Sequence, residues 1–135
     1  MRKLINAALI LGLCAGQVAA NETPLTQNKR VMDGFYIIGT ADIIRKACGR
    51  IDARMVRALM YLGSLQRYAK EQGYSEEQID AFLDDDAQED ALRARIKSDL
   101  AARGVPDGDA EAHCRVGMEE IAADTPVGRL LRTKN

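Results

Sequence analysis

Residues 40–73, TADIIRKACGRIDARMVRALMYLGSLQRYAKEQG, decide the reading of this chain. Ala41, Ile44, Cys48, Ile51, Met55, Ala58, Leu62, Leu65 and Ala69 recur at alternating steps of three and four. Such steps gather apolar side chains on one stripe of a helix, where a strand would show period two. Thr40 is a usable N-cap with Asp42 in the first turn; Gly73 suits the position just past the end, with Lys70 in the last turn. The stretch is expected as one long helix, the spine of the fold. A bend at Gly49 is the alternative, because Asp52 is able to cap a fresh start.

Charge is segregated around that spine. From Asp42 to Lys70 the chain carries Arg45, Lys46, Arg50, Arg54, Arg57, Arg67 and Lys70 against only Asp42 and Asp52. The excess marks Arg45, Lys46, Arg50, Arg54 and Arg57 as candidate partner-binding residues. The plainer alternative is a solvated face neutralised by acids elsewhere in the fold. Those acids come next: Glu76, Glu77, Asp80, Asp84, Asp85, Asp86, Glu89 and Asp90, with no base among them. An EF-hand loop counted from Asp84 wants Gly at its sixth position and Glu at its twelfth, where the chain has Glu89 and Arg95. The run reads as a solvated face and not as a calcium site.

Upstream, residues 1–20 have the three parts of a secretory signal. Arg2 and Lys3 supply positive charge, Leu4 to Leu13 an apolar run, and Val18-Ala19-Ala20 a small-residue cleavage site. An apolar run that short falls well below the ~20 residues a membrane-spanning helix needs. Leu13 before Cys14 is a poor match to a lipoprotein signal, so Cys14 is expected to leave with the leader. Removing the leader takes away two of the 19 Lys+Arg and none of the 20 Asp+Glu, leaving a net charge of −3. That mild acidity excludes the strongly basic footprint of a dedicated nucleic-acid binder. Two cysteines then remain, Cys48 and Cys114, and an even pair in an exported chain favours a disulfide. Neither has the C-x-x-C partner of a zinc site.

The rest of the mature chain is read as helices and turns. Residues 21–27 form a flexible N-terminal tail; its Asn-Glu-Thr sequon at Asn21 is a chance match. Residues 28–135 make one domain. Val31, Phe35 and Ile38 fall at helical steps from Asn28, and Phe35–Ile38 read as a strand would have nothing to pair with. Ser75-Glu-Glu-Gln78 is a capping box before Ile79, Phe82 and Leu83. A helix over 87–103 ends at Gly104 and Pro106, and Asp109 caps the helix that holds Cys114. Thr125-Pro126 opens a last short helix before a basic tail. The fold class is all-α: a small helical bundle built on the spine, stapled by one disulfide. Bonding of Cys48 to Cys114 would lay the Cys114 helix across the middle of the spine.

Catalytic sets do not assemble from these residues. The one histidine, His113, adjoins Cys114, and neighbouring helical side chains do not face each other. The serines Ser64, Ser75 and Ser98 sit in helical or capping contexts, none in a nucleophile elbow. Paired carboxylates are plentiful, yet the chain has no tryptophan to line a sugar cleft. No cofactor and no metal are expected.

Three pieces carry a family resemblance: ADIIRKAC (41–48) running into IDAR (51–54), GYSEEQIDAF (73–82), and LAARG (100–104) leading to CRVGMEEI (114–121). They resemble a family of uncharacterised small exported two-cysteine helical proteins of alphaproteobacteria, and span most of the mature chain. The resemblance implies export and two cysteines, and no substrate. In plan alone the chain is similar to small disulfide-bearing periplasmic acid-stress chaperones. The expectation is a non-catalytic periplasmic domain that binds a protein partner, a second copy of the chain included. An acid-stress chaperone is the alternative, and a small enzyme with an unrecognised site the third.

Overall fold

The computed structural model describes residues 21–135. The expected leader, with Cys14, lies outside the described residues. Asn28 starts the first helix, its side chain accepting a hydrogen bond from the Val31 N–H at 3.2 Å. Helix α1 (Lys29–Ala47) joins the lead-in and the first part of the expected spine in one element. Thr40 is therefore no cap. It is buried in mid-helix, and its hydroxyl donates to the Tyr36 carbonyl one turn back at 2.7 Å.

The spine does not continue through residue 48. Cys48 is the C-cap of α1, a turn follows, and Ile51–Ala53 form a short strand, β1. Helix α2 (Met55–Glu71) then runs back along α1: Arg30 lies over the Tyr68 ring, and Leu65 packs on Gly34. The expected single helix is thus a hairpin of two antiparallel helices. Asp52 does not restart the helix, because the N-cap of α2 is Arg54, without a side-chain capping bond. The apolar stripe runs unbroken through the turn because Cys48 and Ile51, on either side of it, are both core residues, 0% and 1% exposed.

Ile51–Ala53 pair antiparallel with β2 (Leu131–Thr133) in the register Ile51↔Thr133, Asp52↔Arg132, Ala53↔Leu131. This two-stranded sheet corrects the expectation of no sheet. Three residues per strand are too few to display a period-two pattern, and each strand exists only because the other meets it. The C-terminal segment is corrected with it. Thr125 caps as expected, accepting from the Gly128 N–H at 3.0 Å. The chain then makes only a 3₁₀ turn, Gly128–Leu130, before entering β2.

Between these ends lie α3 (Glu76–Leu83), α4 (Asp86–Ala102) and α5 (Ala110–Ala122). The capping box before α3 forms as read: Ser75 Oγ accepts from the Gln78 N–H, and Gln78 Oε1 from the Ser75 N–H. Asp85 and Asp109 cap α4 and α5. Gly73 ends α2 at φ +89°, where a Cβ would be strained. The tail is held rather than loose. Asn21 N–H donates to the Gly73 carbonyl at 2.8 Å, Gln78 Nε2–H donates to the Asn21 carbonyl at 2.7 Å, and Leu25 is buried.

Cys48 and Cys114 are bonded, with S–S 1.98 Å. Because α1 stops at Cys48, α5 crosses at the end of that helix and not at the middle of a spine. Gly117, one turn beyond Cys114, permits the close approach: a Cβ there would lie 2.7 Å from Ile44 Cγ2. Ile44, Ile51, Ile96, Val105, Val116 and Leu131 centre the main core. A second cluster of Leu25, Val31, Ala69, Tyr74 and Ile79 closes the other end of α1.

Candidate functional site

Cys48, Cys114, His113, Ser64 and Ser75 each have a structural partner. Both cysteines among the described residues are in the disulfide. His113 is 2% exposed, and its Nδ1 lies 2.7 Å from the Asp109 carbonyl oxygen. A carbonyl only accepts, so Nδ1 carries the proton and donates. Ser64 donates to the Tyr61 carbonyl at 2.6 Å, and Ser75 is a cap. Among the described residues no group of three or more His, Cys, Asp or Glu is placed to hold a metal ion. No described helix is long and apolar enough to cross a membrane.

The five candidate partner-binding bases are separated by the fold. Asp42, on the last turns of α1, takes both Arg45 (2.6 Å) and Lys46 (2.7 Å). These cations suit the negative end of the helix dipole. Burial pushes the Asp42 carboxyl up, but the hydrogen bonds from Lys46 and Arg45 outweigh it and hold it below the ordinary value. Arg50 pairs with Glu111 of α5 at 2.9 Å, and Arg54 Nε–H donates to the Leu131 carbonyl at 2.9 Å. Only Arg57 stands exposed without an ion pair among the described residues of this set. The basic and acidic elements hardly neutralise one another: Lys70–Glu76 is the one described pair joining α2 to α3. Asp80, Asp84, Asp86 and Asp90 make no described ion pair.

Around Arg57 lies what the apolar stripe did not reveal. Met55, Val56, Leu59 and Met60 are 55%, 72%, 61% and 70% exposed, on the first two turns of α2. The same helix buries Leu65 and Ala69 against the body of the protein. Single exposed apolar residues are ordinary; these four adjoin on one helix face and form a contiguous apolar patch. The signal was present in the sequence. Residues 55–62 are apolar nearly all the way round the helix, with Arg57 as their only charge, and a helix apolar all round needs two neighbours. The structure covers α2 with α1, α3 and the Gly128–Leu130 turn and leaves the face at Met55, Val56, Leu59 and Met60 exposed.

Two concavities lie on the described surface. A groove of about 250 Å³ lies between α1, α3 and α4 and is lined by Phe35, Ile38, Phe82, Leu83 and Leu92. The Phe35 and Phe82 rings meet edge to face at 5.1 Å. Its charged lining residues are Asp42, Asp85, Glu89 and Arg93, the last paired with Glu89 at 2.5 Å. A wider, open depression of about 620 Å³ is lined by Tyr61, Tyr68 and Tyr74 with Arg30, whose guanidinium sits 4.2 Å from the Tyr68 ring centroid.

No curated protein and no solved structure gives a significant match to the chain. The family model described as a family of unknown function (DUF5333) matches residues 23–132, and the chain belongs to that family.

Proposed function

We propose that this protein is a non-catalytic exported domain, stapled by its disulfide, that binds another protein through the uncovered face of α2. The observation that supports this reading is the set Met55, Val56, Leu59 and Met60, exposed beside the unpaired Arg57 while Leu65 and Ala69 of the same helix are buried. Exposed methionines suit an adaptable apolar contact surface, and arginine is among the residues enriched at energetically dominant contacts. Export to the periplasm rests on the leader and on the even cysteine pair. The test is capture from periplasmic extract on the oxidised domain and, in parallel, on Val56→Asp/Met60→Asp. One protein retained in near-equal amount by the first and lost from the second supports the reading. Identical retention on both overturns it. Mass of the exported chain beginning at Asn21 checks cleavage.

The acid-stress chaperone is the second reading, favoured by the acids of α3 and α4 that make no ion pair. Their protonation would leave the bases of α1 and α2 less compensated and loosen the fold. Hydrophobic dye binding followed from pH 7 to pH 2 tests it, and a flat response with retained helicity ends it.

A further inference from the structure

The exposed face of α2 and the groove between α1, α3 and α4 are two unfilled apolar features with opposite charge at their edges. The ridge carries Arg57 as its only charge from Met55 through Gln66. At the groove's edges Asp42 is paired with Arg45 and Lys46 and Glu89 with Arg93, so the uncompensated charge is the acidic run Asp84–Asp86, of which Asp85 lines the groove. Met32 and Asp42 line the groove ten residues apart on α1, a length of roughly 15 Å at 1.5 Å per residue. The ridge from Met55 to Met60 covers roughly half of that on the same rise. Its anchors fall at the spacing used by helices that lay an apolar face into a groove: Val56 to Met60 is one turn, and Leu59 lies alongside.

Resting on the reading of α2 as the binding face, we infer that the groove is the receptor for that face on a second copy of the same chain. The ridge of one protomer enters the groove of the next, with Arg57 facing the acidic run Asp84–Asp86 and the Glu89 carboxylate shared with Arg93. The contact is made between molecules, because α2 turns its Leu65 side to α1 and its ridge outward. Ridge and groove are different surfaces, so the contact is heterologous. Two copies that exchange ridges close a pair; copies that do not exchange extend a chain. Opposite edge charges fix the register and make the association weaken with salt.

Complementation between variants tests this. The ridge variant is Val56→Asp/Met60→Asp, and the groove variant is Leu83→Lys/Glu89→Lys, all at exposed positions. Sedimentation of the oxidised mature chain should show a mass that rises with concentration and falls back in high salt. Each variant alone should sediment as a monomer. Their equimolar mixture should regain a species holding one of each, because one supplies a groove and the other a ridge. A wild type that stays monomeric to about 1 mM, a dissociation constant worth only ~4 kcal/mol, overturns the inference. So does a groove variant that associates like wild type, which would mean ridge packing on ridge, and so does a mixture that does not recombine. Ridge-dependent binding of a monomeric wild type to phosphatidylglycerol vesicles would assign the face to an anionic membrane and overturn it as well. If either double variant loses its helicity, Arg57→Glu and Glu89→Arg, weak alone and paired when mixed, put the same question. A partner captured through the ridge by a protein that does not self-associate sinks this inference and leaves the proposed function standing.

Discussion

Gly117 of α5 lies directly against Ile51 of β1: a Cβ at position 117 would come within 2.5 Å of the Ile51 Cδ1. The contact stands three residues from Cys114 and beside the fully buried Ile44. It joins the helix that carries one cysteine to the strand that follows the other. Gly117→Ala must displace Ile51 or separate α5 from α1. Overpacking of this kind costs about 1–3 kcal/mol. A chemical denaturation curve should show the midpoint falling by that equivalent, and an unchanged midpoint would mean that the core yields there without cost.

The disulfide closes 66 residues of sequence separation. In the chain-entropy account a loop of that length is worth about 4 kcal/mol against the unfolded state. Cys48→Ala/Cys114→Ala should lose a large part of the stability, read as a lower urea midpoint. Because the bonded residues are 0% and 3% exposed, reductant should act on the native protein only as fast as it opens. Rapid reduction without unfolding would contradict that burial.

The two faces of α2 should respond oppositely to truncation. Leu65 packs over Gly34 and is buried, so Leu65→Ala should cost about 2–5 kcal/mol. Met60→Gln, on the exposed ridge, should change stability by less than about 0.5 kcal/mol. Thermal melts of both variants beside the wild type give the comparison. Equal losses would mean that the ridge is packed in solution.

Stability should fall on acidification through specific carboxylates. Asp42 is held below the ordinary value by Lys46 and Arg45 against the opposing effect of burial. Glu76 is lowered by Lys70, and Asp107 by Lys97. A depressed folded value means that the unfolded chain binds more protons, so the contribution is complete above the unfolded values of about 4 and is lost as pH falls through the folded ones. Asp42→Asn should therefore melt below the wild type at pH 7, by no more than the equivalent of about 1 kcal/mol. The two should converge near pH 2. A gap that persists there would mean that the substituted amide disturbs packing and not charge.

Much of the fold was readable wherever the signal is local. The capping box at Ser75, the cap at Asp109 and the end of α2 at Gly73 depend on residues within a few positions of the backbone they serve. The cysteine pair was readable by count. The break after Ala47 was less so, because periodicity reports burial and Cys48 and Ile51 are buried on either side of it. Nor did composition show which bases are tied down: Arg45 and Lys46 share Asp42 within one helix, whereas Arg50 finds Glu111 sixty-one positions away.

The sequence by itself determined the all-α class, the caps at Ser75, Asp109 and Thr125, and the disulfide, since each follows from side chains acting on nearby backbone or from the pairing of Cys48 with Cys114. Tertiary structure alone decided that the spine would fold back as a hairpin, that Ile51–Ala53 would meet Leu131–Thr133, and that Met55, Val56, Leu59 and Met60 would face outward. A three-residue strand has no stability without its partner, and a helix apolar all round does not specify which side its neighbour covers. Only packing of α2 on α1, with Leu65 over Gly34, chose the face that was left open.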